Sequence, residues 1–177
     1  MRKLAPWLAV AAAIVVADQA TKALVQASLA PGERIPVIPF ADLVLVFNTG
    51  AAFSFLAGAG GWQRGLFIAI AVGAIALIGR LLARHAGERL FCTGLALILG
   101  GAIGNLWDRI ALGHVVDFVL LHAGSWHFPA FNVADSSITV GAGLLIWDGL
   151  FGKREAGRGE DAGTGTGEGA GRQRGEG

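Results

Sequence analysis

The chain is predicted to be an all-α membrane protein. It should have four transmembrane helices with both termini cytoplasmic, plus a small extramembrane β element on the outer side. Three observations predict this. Hydrophobic residues make up 54% of the 177 and charged residues only 15%, against roughly a quarter charged in a soluble domain. Apolar stretches alternate along the chain with short polar connections. Of the 14 Lys and Arg residues, those at 2, 3, 80, 84, 89, 153, 154, 158, 172 and 174 share one side of these stretches, leaving 34, 64 and 109 near the other and Lys22 within the first. The positive-inside rule makes the richer side cytoplasmic. A net charge of +1 excludes a nucleic-acid footprint, and the lone Cys92 excludes a disulfide framework or a cysteine-based metal centre.

The first element follows two basic residues and runs from Leu4 to Leu29. At ~1.5 Å per residue this spans about 39 Å, enough to cross a bilayer with tilt. A basic start, a greasy centre and Ser28-Leu-Ala30 also fit a cleavable signal peptide. The helix-friendly continuation through Asp18-Gln-Ala-Thr-Lys22 favours a first span. Asp18 and Lys22, four apart, share one face in the favoured order for an ion pair.

Residues 31–61 differ in kind. Pro31, Pro36 and Pro39 rule out a helix, and Ala41-Asp-Leu-Val-Leu-Val-Phe47 has the β-branched and aromatic content of a strand. Asn48-Thr-Gly50-Ala-Ala-Phe-Ser54 reads as a turn into a second extended piece. Helix 2 covers Leu66 to Leu82, and Arg80, Arg84, His85, Glu88 and Arg89 make a basic connection. Helix 3 runs from about Leu90 to Trp107, with Gly100 and Gly104 in a small-xxx-small pattern that permits close helix contact. Helix 4 runs from about Ser136 to Leu150. Residues 1–152 thus form one membrane domain. Residues 153–177, which hold no apolar side chain larger than alanine, are expected to be a disordered cytoplasmic tail.

Polar residues concentrate between Gly100 and Ser137. Ionisable groups in lipid-compatible segments are expensive to keep, so each marks a candidate functional site. Gly101, Asn105 and Asp108 line one stripe of helix 3, and Arg109 is four residues beyond Asn105. Their expected role is to glue helices together and hold a site. Asp117 lies in the connection after helix 3; Asp135 lies just ahead of helix 4, three residues beyond a candidate cap, Asn132. Two carboxylates held close at the lipid boundary share one proton and titrate as a unit. One then takes a proton from water while the other, protonated, polarises a scissile carbonyl. Asp135, near a helix N-terminus, is the expected ionised partner. This chemistry requires no metal and no cofactor.

Other chemistries compete. His114, His122 and His127 with Asp117 suggest zinc, but no HExxH or common ligand spacing is present. A Ser–Lys dyad would draw on Ser54, Ser136 or Ser137 with Lys22. A small proton-coupled transporter would use Asp18, Asp117 and Asp135 as a relay, although no internal repeat of the kind common in transporters is visible.

Five segments, in order, resemble the boxes of the bacterial lipoprotein signal peptidases (signal peptidase II). They are Asp18-Gln-Ala-Thr-Lys22, Asn48-Thr-Gly-Ala-Ala-Phe-Ser54, Gly100-Gly-Ala-Ile-Gly-Asn-Leu-Trp-Asp-Arg109, Gly113-His-Val-Val-Asp-Phe118 and Phe131-Asn-Val-Ala-Asp135. The resemblance covers about residues 4–152. It implies an aspartic endopeptidase of the bacterial inner membrane, active near the outer face, that removes signal peptides from diacylglyceryl-modified prolipoproteins. It further implies that Asp117 and Asp135 are the catalytic pair. Asp18, Lys22, Asn48, Gly101, Asn105, Asp108, Arg109, Asn132 and Ala134 would then support the site or contact substrate.

Overall fold

The computed structural model describes residues 3–50 and 62–152. Along them run α1 (Ala5–Ser28), β1 (Arg34–Ile38), β2 (Ala41–Asn48), α2 (Trp62–Arg84), α3 (Arg89–Ala111), β3 (Val115–Ala123), β4 (Trp126–His127) and α4 (Val133–Trp147). A π-helical turn, Asp148–Gly152, continues α4. Three helices, α1, α2 and α3, are long and apolar enough to cross a membrane, with mean hydropathies of 1.7, 2.4 and 1.7. The shorter α4 has 15 residues, about 22 Å at ~1.5 Å per residue.

Helix α3 is the centre of the bundle, and α1, α2 and α4 each pack on it. Helices α2 and α4 run antiparallel to α3, and α1 runs parallel to it. Near the α2–α3 turn, Trp7 Nε1 of α1 donates to Ala86 O (3.4 Å), and at the opposite end Arg64 Nη2 of α2 donates to Ile110 O of α3 (3.0 Å). Glycines let backbones approach. A Cβ on Gly100 would stand 2.7 Å from the Ala11 carbonyl oxygen, and one on Gly141 2.6 Å from that of Gly94. Lipid supplies little hydrophobic drive for helix association, so such contacts carry much of the packing. Gly141→Val should therefore force α4 off α3 and cost about 1–3 kcal/mol, the usual range for overpacking, seen as a lowered unfolding midpoint in detergent. An unchanged midpoint would contradict this contact.

Ala11, Ile78, Leu82, Cys92, Leu95 and Leu99 form one core inside the bundle. A second, of Val25, Leu29, Leu45, Val116 and Phe118, joins the end of α1 to the sheet. Val16, Leu24, Ile70, Leu77 and Ile146 are exposed on the helices, as a lipid-facing surface requires.

The sheet is antiparallel with strand order β1-β2-β3-β4. It therefore extends beyond the expected 31–61 segment. Residues 115–123, read from sequence as a connection, form a nine-residue strand whose first four residues are buried. Apolar side chains on both of its faces hid the alternation that marks a half-buried strand. The register sets Asp117 against Val46 and Asn48 against Val115, with a bulge between Leu43 and Val46 that buries Val44 and Leu45 consecutively. Two helix ends also differ. Helix α3 continues to Ala111, so Asp108 and Arg109 lie on it, and α4 begins at Val133 rather than Ser136. The extended piece expected over Ala51–Ser54 and the tail over 153–177 lie outside the described residues.

Candidate active site

The site is assembled around the N-terminus of α4. Asn132 is its cap, and its Oδ1 accepts from Asp135 N (2.9 Å), satisfying one of the helix's orphan donors. A second cap reaches across from α1, where Asp18 Oδ1 accepts from Ala134 N (2.9 Å). This puts a carboxylate at the positive end of the α4 dipole. Glycines on α3 make room for it: a Cβ at Gly104 would lie 2.6 Å from Asp18 Oδ2, and one at Gly101 would collide with Ala134 O.

Lys22, 2% exposed, is held between two acids, with Nζ 2.8 Å from Asp18 Oδ2 and 2.9 Å from Asp108 Oδ2. It also donates to Asn105 Oδ1 (3.1 Å). Asp108 Oδ2 further accepts from Val116 N (3.1 Å), tying the start of β3 to α3. The expected Asp18–Lys22 pair is thus present and extends to Asp108. Arg109 donates to Asn105 O (3.2 Å) and lies 5.2 Å from the centre of the Phe67 ring.

Two asparagines carry this framework to Asp117 and Asp135. Lys22 can only donate, so it turns the Asn105 oxygen toward itself and leaves the amide Nδ2 to donate to Asp135 Oδ1 (2.7 Å). Likewise, the cap bond from Asp135 N fixes the Asn132 oxygen, so Asn132 Nδ2 donates to Asp117 Oδ1 (2.7 Å). Asn48, at the end of β2, donates from Nδ2 to Asp117 Oδ2 (2.9 Å) while its oxygen accepts from Gly50 N (2.9 Å). Asn48 does make the expected turn contact, and it also holds an acid.

Asp117 and Asp135 line the same cavity of about 410 Å³, with Val46, Phe47, Asn48, Arg109, Pro129 and Ala130. Asp117 itself is 1% exposed. Burial pushes its carboxyl up from 3.8 to about 6; the Asn48 amide opposes the rise and the Asp135 charge adds to it. The arrangement offers one carboxyl disposed to hold a proton and a second aimed at the same space. It can activate a water against a carbonyl placed between them.

The structure does not gather the alternative chemistries. His122 Nε2 and Arg34 Nε both bond Asp42, and His127 Nε2 lies 3.3 Å from Arg34 Nη1, away from Asp117. The His114 ring packs on Phe47. Ser136 Oγ donates to Asn132 O and Ser137 Oγ to Ala134 O, neither to Lys22. Ser54 lies outside the described residues. Sequence reading missed Gln19, whose Nε2 donates to Asp108 Oδ1 (2.8 Å) and touches Asp18 Oδ2 (3.2 Å). Its place beside Asp18 in the first box was the available signal. Asp42 was also missed. Burial raises its carboxyl, but hydrogen bonds from Arg34 and His122 outweigh that and hold it below the ordinary carboxylate range.

Comparison with known proteins shows the family. The family model described as signal peptidase (SPase) II matches residues 10–151. The chain is 57% identical over 147 residues to a lipoprotein signal peptidase of Paraburkholderia phymatum, covering 83% of this chain and 89% of the relative. It is 58% identical over 147 residues to one of Paraburkholderia phytofirmans, covering 83% and 86%. Among solved structures it is similar to a bacterial membrane enzyme determined by the in meso method at 1.9 Å, with TM-score 0.75 and 30% identity over 83% of this chain and 94% of the other. A second bacterial membrane enzyme, at 2.3 Å, gives TM-score 0.73 and 27% identity over 94% of each chain. With the family model matching residues 10–151 and relatives more than half identical over most of its length, the chain belongs to the signal peptidase II family.

Proposed function

We propose that Asp117 and Asp135 are the two carboxylates with which this membrane aspartic peptidase removes signal peptides from prolipoproteins. The substrate's cysteine, just after the scissile bond, carries a diacylglyceryl group. One observation carries the assignment: both acids open into the same cavity, each held from behind by an amide whose donor end is aimed by other groups. Family membership decides against the transporter alternative.

The roles follow from the hydrogen bonds. Asp135 accepts from Asn105 through one oxygen, leaving the other to take a proton from a water between the acids. Asp117 accepts an amide at each oxygen, so its proton occupies the lone pair facing the cavity and is presented to the scissile carbonyl oxygen. Water adds to the carbonyl carbon as Asp135 takes its proton and Asp117 gives its own. On collapse the C–N bond breaks, Asp135 protonates the leaving amine, and Asp117 recovers a proton from the tetrahedral centre. Arg109, on the same cavity wall, supplies positive charge beside the carbonyl oxygen as negative charge builds on it ahead of the Asp117 proton.

The topology that serves this chemistry has four helices crossing the bacterial inner membrane, with both termini cytoplasmic. Arg80, Arg84 and Arg89 lie at one end of the helices; Arg34, Arg64 and Arg109 lie at the other, with the sheet and the acids. By the positive-inside rule this distribution supports a site near the outer, periplasmic face, where a lipid-anchored precursor would present its cleavage point.

The primary test replaces each acid by asparagine and follows signal-peptide release from a lipid-modified precursor. A second reads the shared proton. The donor is lost as Asp117 ionises, so kcat/KM should fall above about pH 6, by about tenfold per unit. Asn48→Ala removes an amide that holds the Asp117 carboxyl down, so this limb should move to higher pH. A limb that stays in place would contradict Asp117 as the proton donor.

A further inference from the structure

Arg109 stands in the last turn of α3 and lines the cavity that holds both acids. Its Nη1 donates to Asn105 O (3.2 Å), a single bond to a neutral carbonyl. Among the described residues it forms no ion pair. One such bond does not fix so long a side chain. The second restraint is Phe67 of α2, whose ring centre lies 5.2 Å from the guanidinium carbon, inside the ~6 Å reach of a cation–π contact.

The ring is itself held from two sides. Arg64, three residues before Phe67 and on the same face of α2, donates from Nη2 to Ile110 O (3.0 Å) and so fixes α2 against the end of α3. On the other side lies Gly50, at φ +104°, where a Cβ would stand 2.5 Å from Phe67 Cε2. Gly50 N donates to Asn48 Oδ1, and Asn48 Nδ2 to Asp117 Oδ2. The ring therefore lies between Arg109 and the turn that carries an amide to Asp117. Helix α2 itself puts no residue on the lining of that cavity.

We propose that Phe67 is a positioning residue of the peptidase, its ring holding the Arg109 guanidinium beside the acids while leaving the charge unneutralised. This rests on the proposed role of Asp117, Asp135 and Arg109 in cleavage. A carboxylate would hold a guanidinium more tightly, but its negative charge would cancel the field that Arg109 brings to the carbonyl oxygen. It would also add repulsion to a site that already holds two acids. A ring face attracts the cation through its quadrupole and carries no net charge. It orients Arg109 and leaves the positive charge for the transition state, so its loss should appear in kcat and hardly in KM. A ring that only filled space between α2 and α3 would act through its bulk, and its π face would not matter.

The test uses the full chain in bilayer discs with one lipid-modified precursor. A graded series of ring-fluorinated phenylalanines, placed at position 67, keeps close to the shape of the ring and weakens its negative face in steps. Along the series kcat should fall to about a tenth of the parental value, the scale of a cation–π contact shielded from water, with KM unchanged. Phe67→Leu, which keeps apolar bulk without a π face, should lose as much. The same series at Phe91, which packs on His85 at the other end of α3, should leave kcat unchanged. Constant kcat along the series at position 67 would overturn the proposal. So would an equal fall at both positions, or a loss carried by KM alone. Parental cleavage by Arg109→Gln, or by Asp117→Asn, would instead overturn the proposed function beneath it, which separates the failures.

Discussion

Asp117→Asn and Asp135→Asn should each slow signal-peptide release by at least about a thousandfold in a protein that still folds. A positioned general acid or base contributes about 10²–10⁴, and in the proposed mechanism the two act on the same water and carbonyl, so neither is spared when the other is lost. Asparagine keeps the size of the side chain and one acceptor oxygen. At position 135 that oxygen still meets the Asn105 amide, and at position 117 it still meets one of Asn48 or Asn132. What disappears is the capacity to move a proton. Release from a lipid-modified precursor, measured beside the unfolding midpoint, separates lost chemistry from lost structure. Parental rates in both variants would remove these acids from the mechanism.

Lys22→Met carries the largest expected effect on stability. It leaves Asp18 and Asp108, 0% and 1% exposed, with no cation between them. Removing one partner of a buried ion pair costs about 3–5 kcal/mol because the remaining charge has no compensation. The loss also frees the Asn105 amide, whose oxygen Lys22 holds. Expression and the unfolding midpoint should both fall sharply, and the double variant Lys22→Met/Asp108→Asn should recover part of the midpoint. Asp18→Asn should weaken stability more than turnover, since an asparagine oxygen can still cap Ala134 N. A stably folded Asp18→Asn protein with no turnover would give Asp18 a direct part in the chemistry.

Much of the site was legible before any coordinates because membrane segments make polar residues conspicuous. Asp18, Lys22, Asn105 and Asp108 stand out against alanine and leucine, and helical spacing alone sets each pair on one face. The cap role of Asn132 followed from its distance to Asp135. Less legible was whatever depends on strand pairing. Val115–Ala123 is buried at its start on both faces, so it lacks alternation, and Asp117 read as a connection residue although it stands on a paired strand. The same blindness hid Asp42, whose partners Arg34 and His122 come from neighbouring strands. Which way an amide points was also beyond the sequence. That Asn105 and Asn132 both aim donors at the acids follows only once Lys22 and the α4 backbone are seen behind them.

The most direct measurement is difference infrared spectroscopy of the carboxyl C=O stretch, titrated with pH in the detergent-solubilised protein with aspartate labelled by carbon-13. One buried carboxyl should lose its proton near pH 6. Its band should be absent from Asp117→Asn, and in Asp135→Asn it should titrate lower, because the neighbouring negative charge that raises it is gone. A band that survives Asp117→Asn, or one that ignores the loss of Asp135, would mean that the two acids do not hold a proton in common.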